Sequence, residues 1–251
     1  MIIYKKNYLT IIMMNRLKKI IRSFIYKSTE INIDKLTFYS FNYNEDTEYI
    51  ILYLHGGAFI IRDISYYTLL KKISDKCPNI SSLYLKYTLN NPNKNINEVQ
   101  NIMNYLSKKK QKIILAGYSA GGYICLRYYI EAVKNSMPLP YKMLLISPWI
   151  NPQNEINYSQ DIIPSFMYNA VSSQINIKNI VDFDLNIVFC KIFLIYGEFD
   201  ILINQIKDFK SRINIYKEFV CTGYGHTFLY NTETYLLDNI INKIINFIVN
   251  N

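Results

Sequence analysis

Apolar residues along this chain fall into two kinds of segment that take turns. Short, unbroken runs such as Tyr-Ile-Ile-Leu-Tyr-Leu at 49–54 and Ile-Phe-Leu-Ile-Tyr at 192–196 suit strands covered on both faces. Longer segments that bring their apolar residues back every three or four positions suit helices with one buried stripe. This reading predicts strands near 33–41, 49–54, 80–87, 112–117, 143–147, 191–196 and 215–220, and helices near 15–27, 64–77, 95–109, 120–135, 203–213 and 232–249. Strands alternating with helices in this way predict an α/β fold with a mostly parallel central sheet and helices on both faces. At 251 residues, one domain with a sizeable core is expected, and no internal repeat is visible.

The clearest chemistry sits at one strand-to-helix junction. Residues 117–122 read Gly-Tyr-Ser-Ala-Gly-Gly, directly after the apolar run 112–116 and before the helical segment. A serine hydroxyl attacks a carbonyl only if a base lies within hydrogen-bond reach, and a sharp turn between small residues can lift it above the sheet. Ser119 is therefore the candidate nucleophile. Such a serine needs backbone donors upstream and an acid and a histidine downstream. The chain holds two histidines, His55 and His226. His55 opens His-Gly-Gly-Ala after the strand at 49–54, and the Gly56–Gly57 pair lets two N–H groups point at one spot, as an oxyanion requires. His226 lies in the glycine-punctuated loop Gly-Tyr-Gly-His-Thr-Phe and is the candidate base. For the acid, Asp200 just past the strand at 191–196 is preferred, with Glu198 as near rival; Asp182 and Asp184 precede that strand and read as parts of a solvated connection.

Taken together, these residues resemble the hormone-sensitive-lipase-like branch of the α/β-hydrolases. The likeness runs from about residue 49 to the end of the chain. The family's His-Gly-Gly-Gly stands here as His55-Gly56-Gly57-Ala58, and its Gly-Asp-Ser-Ala-Gly-Gly as residues 117–122 with Tyr118 in place of the aspartate. Its Asp-Tyr-Arg-Leu is similar to Lys86-Tyr87-Thr88-Leu89, its Ser-Pro-Trp to Ser147-Pro148-Trp149, and its Asp-x-Leu and His-x-Phe to Asp200-Ile201-Leu202 and His226-Thr227-Phe228. The resemblance implies an α/β-hydrolase fold in which Ser119, Asp200 and His226 are catalytic. It also implies that the amides of Gly56, Gly57 and Ala120 hold the oxyanion, and that His55 supports the oxyanion loop. The activity implied is that of a serine hydrolase cleaving carboxylic esters, an esterase or lipase that needs no cofactor or metal. Ala58 is acceptable in place of the third glycine if its φ is ordinary and a liability if its φ is positive.

The same resemblance places a cap at about 150–188, a stretch rich in Pro and Asn that is short for such an insertion. A reduced cap is expected, with helices around 158–168 and 172–181, and a site that is open or suited to small acyl groups. Phe59, Tyr87, Trp149 and Phe228 are candidates for lining it. On this division residues 1–45 carry an N-terminal helix and first strand, and 46–251 the catalytic unit.

Composition alters this picture only at the margins. The formal charge of +9 is spread along the chain, and Lys108-Lys109-Lys110 reads as a solvated helix end, so no nucleic-acid partner is expected. Residues 15–27 place Leu17, Ile20, Ile21, Phe24 and Ile25 on one helical face with Lys18, Lys19 and Arg22 elsewhere. That basic amphipathic segment either packs as part of the cap, the preferred reading, or touches an anionic membrane surface beside a lipid ester substrate. The run 9–14 is too short for a signal h-region, so a cytoplasmic protein is expected. Cys77, Cys125, Cys190 and Cys221 are widely spaced and read as free thiols, Cys125 and Cys190 buried, with no zinc spacing. Competing readings are an amidase or acyltransferase using the same triad, a peptidase of related fold, and a catalytically silent scaffold that binds a partner. Oligomeric state is left open.

Overall fold

The computed structural model describes residues 28–63, 67–152, 177–231 and 234–250. Among them, eight strands form one sheet: β1 (Thr29–Ile33), β2 (Leu36–Phe41), β3 (Tyr49–Leu54), β4 (Ile80–Leu85), β5 (Lys112–Tyr118), β6 (Lys142–Ile146), β7 (Lys191–Gly197) and β8 (Lys217–Cys221). Their order across the sheet is β1-β2-β4-β3-β5-β6-β7-β8. The first two pairings, β1 with β2 and β2 with β4, are antiparallel, and the other five are parallel. Helices α1 (Tyr67–Lys76), α2 (Pro92–Leu106), α3 (Ala120–Lys134), α4 (Ile203–Arg212), the single turn α5 (Phe228–Asn231) and α6 (Thr234–Val249) alternate with the strands.

The central strands are apolar on both faces because both faces are covered. In β3, Ile50, Leu52 and Leu54 join one core, while Tyr49, Ile51 and Tyr53 join the other. The first core takes Val99, Ile102 and Leu106 from α2, Tyr123 and Leu126 from α3, and Ile206 and Phe209 from α4. The second takes Leu69, Leu70 and Ile73 from α1 and Ile240, Ile244 and Phe247 from α6. α2 begins at Pro92, three residues before the expected 95, because Pro92 suits the first turn and the Asn91 side chain accepts the Lys94 N–H at 3.0 Å.

The expected single strand over 33–41 is a hairpin instead. Asp34 and Lys35 both take positive φ, 47° and 65°, which makes a two-residue turn between β1 and β2. The expected helix at 15–27, the cap helix at 158–168 and the first half of that at 172–181 fall outside the described residues; in the other half, residues 177–179 are not helical and Ile180–Asp182 forms a single 3₁₀ turn. Among the described residues, no helix is long and apolar enough to cross a membrane. All four cysteines are free; Cys125 and Cys221 are buried, whereas Cys190, expected inside, is only half-buried because it lies just before β7 begins.

Two features of this sheet bear on the site. β4 lies on one side of β3 and β5 on the other, so the chain reverses its direction across the sheet at β3, and the carboxyl end of a strand at such a switch point is where open α/β sheets commonly hold a ligand. At the opposite end, Lys142 is 1% exposed, and its Nζ donates to the carbonyls of Phe247, Ile248 and Asn250 at 2.7, 3.2 and 2.6 Å. A cation at a helix C-terminus satisfies carbonyls that have no partner within the helix. Burial, with Lys191 and Lys112 nearby, holds this ammonium below the ordinary lysine value. Lys142→Met is expected to cost about 2 kcal/mol by stranding those carbonyls, a fall of about 4–8 °C in the melting midpoint by calorimetry. An unchanged midpoint would mean that the carbonyls find other donors.

Candidate active site

Ser119 is the single residue between β5 and α3, and its backbone is forced to φ 53°, ψ −116°. A non-glycine residue held in that region costs about 1–3 kcal/mol and persists only where its surroundings fix it. Here its N–H donates to the Ile146 carbonyl at 3.0 Å, and its own carbonyl accepts from Tyr123 N–H at 3.2 Å and Trp149 N–H at 3.0 Å. The end of β6 and the first turn of α3 thus grip the turn from both sides. The serine is 2% exposed, at the carboxyl end of β5 where that strand neighbours β3.

Its hydroxyl lies 3.0 Å from His226 Nε2, and His226 Nδ1 lies 2.9 Å from Asp200 Oδ1. A carboxylate can only accept, so Nδ1 carries the proton, Nε2 offers its lone pair, and the Ser119 hydroxyl donates to it. Asp200, just after β7, is 1% exposed. A buried carboxylate needs donors, and Asp200 has three: His226, the Leu202 N–H at 2.9 Å on the same oxygen, and the Ser147 hydroxyl on the other. The loop carrying His226 is tied to the loop carrying Asp200, since Glu198 N–H donates to Cys221 and Phe199 N–H to Tyr224, at 3.0 and 2.9 Å. Glu198, the rival acid, points elsewhere and accepts the Gly223 N–H at 2.9 Å. Asp182 and Asp184 receive the amides of Asn179 and Asn186, both within local turns.

The His55–Ala58 turn lies at the end of β3, beside the serine. A Cβ placed on Gly56 would stand 3.3 Å from Ser119 Cβ, so this backbone adjoins the candidate nucleophile. Gly57 takes φ +105°, and its carbonyl accepts the N–H groups of Ile60 and Ile61 at 3.0 and 2.9 Å. His55 is fully buried, with Nδ1 at 2.6 Å from the Gly56 carbonyl. Its ring stacks on Tyr87 at 3.8 Å between centroids, and the Tyr87 hydroxyl donates to the His55 carbonyl at 2.7 Å. Burial raises the Tyr87 phenol well above its ordinary value, so it stays a donor. Ala120 opens α3 directly after Ser119.

Ala58 adopts φ 52° and Phe59 φ 64°, so the position where the resemblance has a third glycine is left-handed here. The alanine methyl is unfavourable in that region by about 1–2 kcal/mol, partly offset by the greater unfolded freedom of glycine. Ala58→Gly is accordingly expected to stabilise the protein by about 0.5 kcal/mol, a small rise in denaturation midpoint at constant m. A loss of stability would mean that the methyl's contacts outweigh the strain.

Two side chains contribute in ways the sequence did not suggest. Ser147 appeared only as part of Ser-Pro-Trp, yet it is a donor to Asp200; its signal is its place at the end of β6, which neighbours β7. Tyr118, read as a departure from the resemblance, stacks on His226 at 5.1 Å between centroids. Of the expected pocket aromatics, Phe59 and Trp149 stack on each other at 5.8 Å, and Phe59 meets Tyr123 edge-on. Phe228 packs in the core on the opposite face of the sheet, with α6.

Comparison with known proteins bears on the family and the fold. A family model described as steryl acetyl hydrolase matches residues 14–165, a span that includes the His55 turn and Ser119 but not Asp200 or His226. No curated protein matches the chain. Among solved structures, carboxyl esterase 2 from the mycorrhizal fungus Tuber melanosporum is 16% identical, with 87% of this chain and 84% of that one covered and a TM-score of 0.74. A hormone-sensitive lipase from a metagenome library is 17% identical over 88% and 83% of the two chains, with a TM-score of 0.73. A hyperthermophilic esterase from the archaeon Pyrobaculum calidifontis is 15% identical over 88% and 82%, with a TM-score of 0.71. The fold is that of these α/β-hydrolases.

Proposed function

The chain belongs to the steryl acetyl hydrolase family and is an esterase/lipase-like hydrolase, and we propose that it cleaves short-acyl carboxylic esters, acetyl esters of a bulky alcohol first among them, through Ser119, His226 and Asp200. The observation that carries this reading is the continuous run of contacts from Ser119 Oγ to His226 Nε2 and from His226 Nδ1 to Asp200, at 3.0 and 2.9 Å.

The roles follow from that order. Ser119 Oγ attacks the acyl carbon while its proton passes to His226 Nε2. Asp200 keeps the imidazole in the tautomer that can take the proton and stabilises the imidazolium that results. The negative charge forming on the carbonyl oxygen falls to the amides of Gly56, Gly57 and Ala120, and one such donor is worth about 10²–10³ in rate. His226 then protonates the leaving alcohol. Water, activated by the same imidazole, releases the acid and restores Ser119. Both the acetyl preference and the bulky alcohol are carried over from the steryl acetyl hydrolase family.

The test combines a fluorophosphonate probe with a p-nitrophenyl ester series. A single adduct by intact mass, with turnover highest for acetate and butyrate and at least tenfold lower for decanoate, is the expected result. Turnover that peaks at long chains would overturn the short-acyl preference. A second reading, a silent scaffold that binds a partner, draws on the 2% exposure of Ser119. Well-folded protein that takes no adduct would favour it over the esterase.

A further inference from the structure

We infer that Tyr118 is a positioning residue of this site, a strut that sets His226 and the Gly56 turn at a fixed separation around Ser119. The inference rests on the esterase reading above and goes beyond it, because Tyr118 touches neither the acyl carbon nor the transferred proton.

Three contacts converge on this one side chain. Its ring lies over the His226 imidazole, 5.1 Å between centroids at 30°. Its hydroxyl donates to the His226 backbone carbonyl at 3.2 Å. Its ring edge fills the space that a side chain at position 56 would occupy, since a Cβ on Gly56 would stand 2.4 Å from Cδ1 and 2.7 Å from Cε1. Tyr118 is itself 3% exposed and is the last residue of β5, so its backbone belongs to the sheet.

The physical need for such a strut is plain from the imidazole. The hydrogen bonds to Asp200 and Ser119 lie near the ring plane and do not by themselves oppose a tilt of the ring about the Nδ1–Asp200 contact. Such a tilt swings the Nε2 lone pair off the serine hydroxyl while Nδ1 stays on Asp200. An aromatic ring against one imidazole face opposes that tilt, and its π-face also favours the imidazolium formed during attack. The same ring bears on Gly56, so base and oxyanion donors are referred to one rigid object. Misplacement by about 1 Å at such a site costs about 10² in rate.

The experiment compares wild type with Tyr118→Phe and Tyr118→Leu, with active sites counted by fluorophosphonate titration. The phenylalanine keeps the ring and is expected to stay within about threefold of wild-type kcat per titrated site. The leucine removes the face and is expected to lose about 10–100-fold in kcat per titrated site, with KM within about twofold. A purely structural contribution would lower the titratable fraction or the melting midpoint and leave kcat per site unchanged. Leucine turnover within twofold of wild type overturns the inference, as does equal impairment of the phenylalanine variant. If the leucine variant does not fold, Tyr118→Met keeps most of the volume without the face and carries the same expectation. Wild type that takes no probe would overturn the esterase reading itself, an outcome distinct from either of these.

Discussion

Replacing Ser119 by alanine is expected to remove fluorophosphonate labelling and lower kcat for acetyl esters by about 10⁴–10⁶, while the melting midpoint stays within about 2 °C. The size follows from the proposed roles, in which Ser119, His226 and Asp200 act as a unit and the imidazole has no hydroxyl proton to take once Oγ is gone. The stability follows from the backbone: the contacts with Ile146, Tyr123 and Trp149 use main-chain atoms, which alanine retains. Alanine also meets the same positive φ as serine, so the local strain is unchanged. A variant that loses less than about tenfold would show that another group delivers the nucleophile, and the proposed roles would have to be abandoned.

The second large effect is structural. Gly121→Ala is expected to destabilise the fold by about 3 kcal/mol or more and lower the melting midpoint by about 6–12 °C. A Cβ at this position would stand 2.0 Å from the Leu54 carbonyl oxygen, 2.5 Å from its carbon and 2.7 Å from the His55 oxygen. All three are main-chain atoms of β3 and the turn after it, so no rotamer change relieves the overlap. α3 would have to move off the sheet, taking Ser119 away from Gly56. The measurement is thermal denaturation with parallel ester assays, and activity is expected to fall along with stability. A midpoint equal to wild type would mean that α3 slides without cost, contrary to its close seating on β3.

How much of this could be read beforehand depended on how local the cause was. The strands at 49–54, 112–118 and 191–197 were legible because burial on both faces demands unbroken apolar runs. The serine turn was legible because its demand for small neighbours is written within six residues. The β1–β2 hairpin was missed because Asp34 and Lys35 adopt positive φ with no glycine to announce it. That Asp200, not Glu198, lies by His226 was favoured but not decided by spacing, since the two are separated only by which way a side chain leaves the loop after β7. Tyr118 and Ser147 were opaque for a different reason. Their partners stand 108 and 53 positions away, and only the order β5-β6-β7-β8 brings them together.

That strand order has a consequence for the making of the protein. The hydroxyl of Ser119 and the turn at His55 are encoded in the first half of the chain, while Asp200 and His226 follow β7 and β8, the last strands to be added at the sheet's edge. Synthesis delivers the segments in that sequence. A nascent chain that has emerged only as far as β6 carries a serine with no imidazole beside it, and such a hydroxyl is inert toward esters. On the proposed roles, hydrolytic capacity therefore waits for the segments that follow β7 and β8.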